Sequence, residues 1–273
     1  MTTTQVAVVQ MTSKPDLAHN LESAERLVKR AAQAGAKLVV LPECFAWIGP
    51  EGSQRALAES LDGAPGPVLA RCQGWAREFG VELILGSFTE LTEEGGPRVY
   101  NTSVHLGADG SLKQRYRKIH LFDVDLSDGS SHKESASVKA GDTPVVTETA
   151  LGKLGLSICY DLRFPELYRK LVDLGAVALS VPAAFTLHTG KDHWHVLLQA
   201  RAIESQSYVL AAAQTGHHLE KRVSYGHAMI VDPWGCILAQ CGEGEGIALA
   251  GVDSEVVARV RRQVPSLKHR RLG

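Results

Sequence analysis

Several features are missing from this sequence. No apolar run approaches the ~18 residues of a membrane span, and the first ten residues lack a basic region followed by a long apolar stretch. Neither a membrane anchor nor a secretory leader is expected. There is no Cys-x-x-Cys pair. The five cysteines, at 44, 72, 159, 236 and 241, are odd in number and scattered, which fits free thiols in a reducing compartment rather than a disulfide framework. No GxGxxG opens a helix after a strand and no GxxxxGK[ST] occurs, so dinucleotide and P-loop phosphate binding are unsupported. Charge of one sign is also lacking. Lys plus Arg number 29 and Asp plus Glu 30, whereas a protein living on nucleic-acid phosphates carries a positive surplus. No Pro-, Ser- or Gly-rich linker and no tandem repeat divides the 273 residues. The expectation is one cytoplasmic domain over 1–273, with a basic C-terminal arm over 260–273 and neither nucleic acid nor membrane as partner.

What is present is an alternation of strands and helices. Short apolar strands are expected at 5–11, 37–43, 81–88, 99–106, 112–119, 154–159, 177–181, 208–214, 228–231, 235–239 and 247–252. Helical spacing marks 16–34, 68–79, 164–174, 192–206 and 254–263. Gly35 suits the end of the first helix, and Ala108-Asp109-Gly110 suits a hairpin turn. The polar stretch 123–143, about 20 residues with little periodicity, is long for a connection, and such loops are often functional. The class is mixed α/β.

Three reactive residues stand at the ends of apolar strands, where side chains of α/β folds converge. Cys159, in GLSICYDLRFPEL, sits at a strand-to-helix turn. There a following helix dipole would favour thiolate, and the N–H of Tyr160 could face an oxyanion. Glu43 ends the run VVLPE; if buried, its pKa would rise toward that of a general base. Lys118, in YRKIHLFD, would supply a fixed ammonium for a tetrahedral intermediate. Each has a plainer reading, as a buried structural thiol or a solvated charge. The plainer reading is kept for Cys44, Cys72, Cys236 and Cys241. A Cys–His pair using His120, His188, His193, His195 or His227 is a rival, although spacing nominates none of them. A metal held by His188, His193 and His195 matches no common zinc spacing.

Taken in order, LPECF, YRKIHLFD and GLSICYDLRFPEL resemble the nitrilase (carbon–nitrogen hydrolase) superfamily, over nearly the whole chain. The resemblance implies a four-layer α-β-β-α sandwich, homodimerised through helices near the nucleophile, and a mechanism without cofactor or metal. Glu43 would take the thiol proton of Cys159, the thiolate would attack an amide carbonyl, and Lys118 with the Tyr160 N–H would hold the oxyanion. Ammonia would leave, protonated by Glu43, and water would then release the acid from the thioester. Glu134, in HKESASVKAG, matches a second glutamate of the family that holds the lysine and substrate in place. AAFTLHTGKDHWHVLLQARAIESQSYVLAAAQTG and KRVSYGHAMIVDPWG are most similar to the deaminated glutathione amidases, and next to the ω-amidases that act on α-ketoglutaramate. In those enzymes the positions of Arg163, Phe185 and Thr189 hold an α-keto acid, a role an Arg fork suits. His195, Gln199 and Ala183 stand where the family usually has Glu, Arg and Ser.

Overall fold

The computed structural model describes residues 3–50, 52–92, 95–125 and 131–272. The chain opens with strand β1 (Thr4–Met11), helix α1 (Leu17–Gln33) and strand β2 (Leu38–Val40). Asp16 caps α1 by accepting a hydrogen bond from the His19 N–H. At its other end Gly35, at φ +92°, takes the left-handed turn that a Cβ would strain. Helix α2 (Pro67–Phe79) and strands β3 (Glu82–Leu91), β4 (Val99–Leu106) and β5 (Leu112–Arg117) complete the first half. A short hairpin, β6 (Asp123–Asp125) with β7 (Ser131–Lys133), leads on to β8 (Val146–Thr149) and β9 (Gly152–Leu156). Next come α3 (Pro165–Asp173), β10 (Ala178–Ser180), α4 (Leu187–Ser205), β11 (Tyr208–Ala211), β12 (Ala213–Leu219) and β13 (Arg222–Tyr225). The chain finishes with β14 (Met229–Val231), β15 (Ile237–Gln240), β16 (Gly246–Val252) and α5 (Ser254–Gln263).

These strands form two stacked sheets. The first has eight strands, in the order β13-β12-β1-β2-β3-β4-β5, with β16 also paired to β1. The second has six, in the order β15-β14-β11-β10-β9-β8. Period-two alternation sorts the side chains of the first sheet. Ala7, Val9, Met11, Val39, Leu83 and Leu85 pack on the apolar faces of α1 and α2. Val6, Val8, Leu38, Val40 and Ile84 join Leu154, Leu156 and Leu179 of the second sheet in the other core cluster, which α3 and α4 close from outside. The layers therefore run α-β-β-α. Among the described residues no helix is long and apolar enough to cross a membrane.

Several boundaries differ from the sequence expectation. The run 208–214 is two strands, because the chain crosses between sheets at Ala212: β11 pairs with β10 in one and β12 with β1 in the other. Helix α4 begins five residues before 192, capped by Thr186. Its first turn packs against β13, where a Cβ on Gly190 would meet Tyr225 Cβ at 2.4 Å. The expected loop 123–143 holds β6 and β7, and its residues 126–130 lie outside the described residues. The expected arm from 260 begins inside α5, where Val260 is buried.

Candidate active site

Parallel strands β1, β2 and β3 of one sheet and β9, β10 and β11 of the other run in register with their neighbours. The segments that follow β2 and β9 meet where the sheets face each other. Glu43 follows β2, Lys118 follows β5 and Cys159 follows β9. Lys118 is only 2% exposed. Its Nζ donates to Glu43 Oε1 at 2.9 Å and to both Glu134 oxygens, at 3.1 and 2.8 Å. Asn101 Nδ2 also donates to both carboxylates, at 3.0 Å to Glu43 Oε1 and 3.1 Å to Glu134 Oε1. The Ala184 N–H donates to Glu43 Oε2 at 2.9 Å, and the Phe122 N–H to Glu134 Oε2 at 2.7 Å. Glu43 and Lys118 both act electrostatically on the Cys159 thiol.

Charge follows from this geometry. Burial pushes the Glu43 carboxyl up, but Lys118, acting through charge and hydrogen bond, outweighs it and holds the group below its ordinary value. The rise expected from burial alone is thus reversed. Burial pulls Lys118 down, yet Glu134 and Glu43 raise it well above the usual lysine value. Burial and the Glu43 charge push the Cys159 thiol well up. The thiolate-favouring helix end expected at Cys159 is absent: residues Cys159–Arg163 form a 3-10 turn, and α3 starts only at Pro165. The resting state is an ionised glutamate, an ammonium and a neutral thiol.

The nucleophile's turn is held rigidly. Cys159 has φ +49°, a left-handed conformation costly for a residue with a Cβ, which surrounding bonds must impose. Its own N–H donates to Pro182 O at 2.9 Å. Asp161, fully buried, accepts from the Ile158 N–H at 2.8 Å, Tyr116 Oη at 2.7 Å and the His120 N–H at 3.1 Å. Its Oδ1 also lies 2.7 Å from His120 Nδ1.

Glu43, Lys118, Glu134 and Cys159 line a cavity of about 830 Å³. Tyr160, Arg163, Phe185 and Thr189 line it as well. The Arg163 guanidinium lies 5.1 Å from the centre of the Phe185 ring, with Nη1 3.3 Å from His193 Nδ1. Thr189 Oγ1 is 2.9 Å from the hydroxyl of the capping Thr186.

Four of the five rival histidines have partners of their own. His120 is bound to Asp161, His193 to Arg163, His195 to Gln240 at 3.1 Å and His227 to Tyr225 O at 3.1 Å. His188 lines the cavity, whereas His193 and His195 do not. Gln199 donates to Gly235 O at 2.8 Å, and Ala183 bridges to Ala213 between the sheets' strand ends. The sequence reading missed Asn101 and Tyr116, and it took Asp161 only as a sign of a polar setting at Cys159. The one available signal was an Asn interrupting the apolar alternation of VYNTSVHL.

A carbon–nitrogen hydrolase family model matches residues 5–262. The chain belongs to that family. The hydrolase is 49% identical over 266 residues to the deaminated glutathione amidase of Synechocystis sp., covering 97% of each chain. It is 45% identical over 272 residues to the human deaminated glutathione amidase, covering 97% of this chain and 82% of that one. Among solved structures it matches the C. elegans NitFhit protein with a TM-score of 0.92 and 42% identity, covering 98% of this chain and 65% of that one. Saccharomyces cerevisiae Nit3, of branch 10 of the nitrilase superfamily, gives a TM-score of 0.88 at 36% identity, covering 99% and 97%. The sandwich is thus that of the nitrilase superfamily, and the hydrolase is an amidase by kinship.

Proposed function

We propose that the hydrolase cleaves the amide of deaminated glutathione or a closely similar keto-acid amide through a thioester on Cys159. The observation that carries this reading is the buried Glu43–Lys118–Glu134 cluster around the Cys159 thiol, lining a cavity whose wall holds Arg163. Glu43, already ionised, accepts the thiol proton as sulfur attacks the carbonyl carbon. Lys118 and the Tyr160 N–H stabilise the oxyanion. Glu134 is a positioning residue: two of its contacts fix the ammonium. The tetrahedral intermediate collapses, and the departing amine takes the proton from Glu43. In deaminated glutathione that amine is cysteinylglycine, so the ammonia expected from the sequence would be released only from a primary amide. Water then gives a proton to Glu43 while attacking the thioester, and the proton returns to the sulfur as the acid leaves. Arg163, with Phe185 and Thr189, is assigned to the keto-acid carboxylate.

The test measures cysteinylglycine release from deaminated glutathione and ammonia release from α-ketoglutaramate side by side. A much higher kcat/KM for deaminated glutathione supports the proposal. Preference for α-ketoglutaramate moves the enzyme to the ω-amidases, and turnover of neither refutes both substrates.

We also infer a cytoplasmic homodimer. Val196 and Ile203, two turns apart on α4, are 66% and 53% exposed, and Trp234 nearby is 57% exposed. Such an apolar face suits a second copy. Sedimentation of the double variant Val196→Glu, Ile203→Glu as a monomer would support this, and an unchanged mass would refute it.

A further inference from the structure

The cavity is electrically lopsided. Lys118, Glu43 and Glu134 meet with one negative charge left over, and the other described residues of the lining include Lys133, Arg163, Lys191, Lys221 and Arg222 and no Asp or Glu. The whole chain is nearly neutral, at −1. A concave site lined by one sign of charge concentrates ligands of the other. Five cations are more than one keto-acid carboxylate requires.

Arg222 stands out among them. It is half-buried on β13, it lines the cavity, and its guanidinium forms no hydrogen bond or ion pair with any described residue. A guanidinium presents five donors in a planar fork, and a half-buried one is normally matched by a carboxylate or phosphate. The strand carrying it is firmly set. His218 Nε2 lies 2.8 Å from Ser224 Oγ, the Tyr225 N–H donates to Phe185 O at 2.9 Å, and Thr186 bridges to Ser224. The β12–β13 hairpin that carries it is tied to the segment of Glu43: Gln214 Nε2 donates to Glu43 O at 3.0 Å and to Ser13 Oγ at 2.7 Å, and Ser13 Oγ donates to Phe45 O at 2.8 Å.

Glu43 is the group that hands a proton to the departing amine in the mechanism above. The amine half of the substrate therefore lies toward Arg222, and the acyl half toward Arg163. Two residues of extended chain span about 7 Å, a length within reach of an arginine side chain rooted in the cavity wall.

We propose that Arg222 binds a second substrate carboxylate, carried by the amine half, so that the hydrolase selects amides whose leaving amine is itself an amino acid or short peptide. This rests on the amidase reading and adds to it the feature that separates a dipeptidyl amide from a primary amide. Lys221, next to Arg222, adds charge without the fork geometry.

The experiment compares deaminated glutathione with the same compound bearing a C-terminal carboxamide. For the wild-type hydrolase the acid is expected to exceed the carboxamide in kcat/KM by about 10- to 100-fold, the range of a charge-assisted hydrogen-bonded contact. Arg222→Met should bring that ratio close to one, mainly through KM on the acid, and Arg222→Lys should restore part of it. Arg163→Met should slow both substrates alike and leave the ratio standing. Equal wild-type rates on acid and carboxamide, or an unchanged ratio in Arg222→Met, overturn the inference while the amidase reading survives. Cleavage of neither compound by the wild-type enzyme overturns the deaminated-glutathione reading and this inference together.

Discussion

Strand β4 carries Asn101, Ser103 and His105 on one face, and its two ends treat them in opposite ways. On neighbouring β5 the cross-strand partners are Tyr116 opposite Ser103 and Gln114 opposite His105, with Lys118 one step beyond. At the Asn101 end buried Glu43 and Lys118 meet the partly buried Glu134 with donors and acceptors matched, and the pairing holds Glu43 and Lys118 in their charged forms. At the other end Ser103 Oγ and His105 Nε2 are buried with no partner, and His105 keeps one contact, to Thr147 Oγ1 at 2.8 Å. Burial and the Lys113 charge pull that histidine down to about 4, so it stays neutral. The same space between the sheets preserves charge where partners converge and strips it where they do not. Partner geometry, more than depth, decides the state of a buried group.

The largest effect should come from removing the chemistry while leaving the paired end intact. Cys159→Ala deletes the nucleophile without touching the Lys118 contacts. Turnover should fall by on the order of 10⁴-fold or more, with thermal unfolding close to that of the parent. Retained turnover would remove Cys159 from the mechanism.

Lys118→Met breaks the paired end itself. It leaves two buried carboxylates facing each other without a counter-charge, and removing one partner of such a set costs about 3–5 kcal/mol. Both measurements should respond: denaturant unfolding shifts by that amount, and kcat falls by on the order of 10³-fold as the oxyanion loses its donor. An active, stable variant would show that pairing is not what keeps Glu43 ionised.

Acidification tests the other end. An unfolded histidine titrates near 6.5, whereas folded His105, and His218 in the β12–β13 hairpin, sit at about 4. As pH falls the unfolded chain binds these protons first, so stability is complete above about 6.5 and is lost between there and about 4. Glu43 works in the same direction at lower pH, since its depressed pKa contributes stability that is present above the ordinary carboxylate range and is lost only as pH falls through and below it. Unfolding free energy should therefore drop by about 2 kcal/mol per histidine between neutrality and pH 5. His105→Asn should remove its own share of that drop and leave His218's. An identical pH profile in the variant would place the acid sensitivity elsewhere.

The two ends were not equally legible in the sequence. Glu43, Lys118 and Cys159 stood out because a reactive side chain closed an apolar run. Their meeting needs contacts across 75 residues between Glu43 and Lys118, and the motif resemblance supplied that link where periodicity could not. Asn101 went unread, and Asp161 was taken only as a sign of a polar setting, because their value lies in partners distant along the chain, at separations of 58 to Glu43 and 45 to Tyr116. The switch of sheets at Ala212 was hidden by an unbroken apolar run, since YVLAAAQ reads alike whether it lies in one sheet or two. Unpaired groups such as Ser103 leave no mark at all in a sequence.

The smallest effect is the sharpest test of the contrast. Ser103 and Asn101 are two residues apart on one strand face, and alanine at each removes a polar group of the inter-sheet space. Asn101→Ala strips a donor from both Glu43 and Glu134, so it should cost about 2–3 kcal/mol, the scale of hydrogen bonds to charged groups. Ser103→Ala removes a hydroxyl that has no partner and therefore no bond to lose, while relieving the cost of keeping that hydroxyl away from water. Its unfolding free energy should stay within about 0.5 kcal/mol of the parent or rise by up to about 1 kcal/mol. Were Ser103→Ala to destabilise the fold as much as Asn101→Ala, the two ends of β4 would be held by the same kind of bond. The distinction between a satisfied end and a frustrated one would then have no physical content.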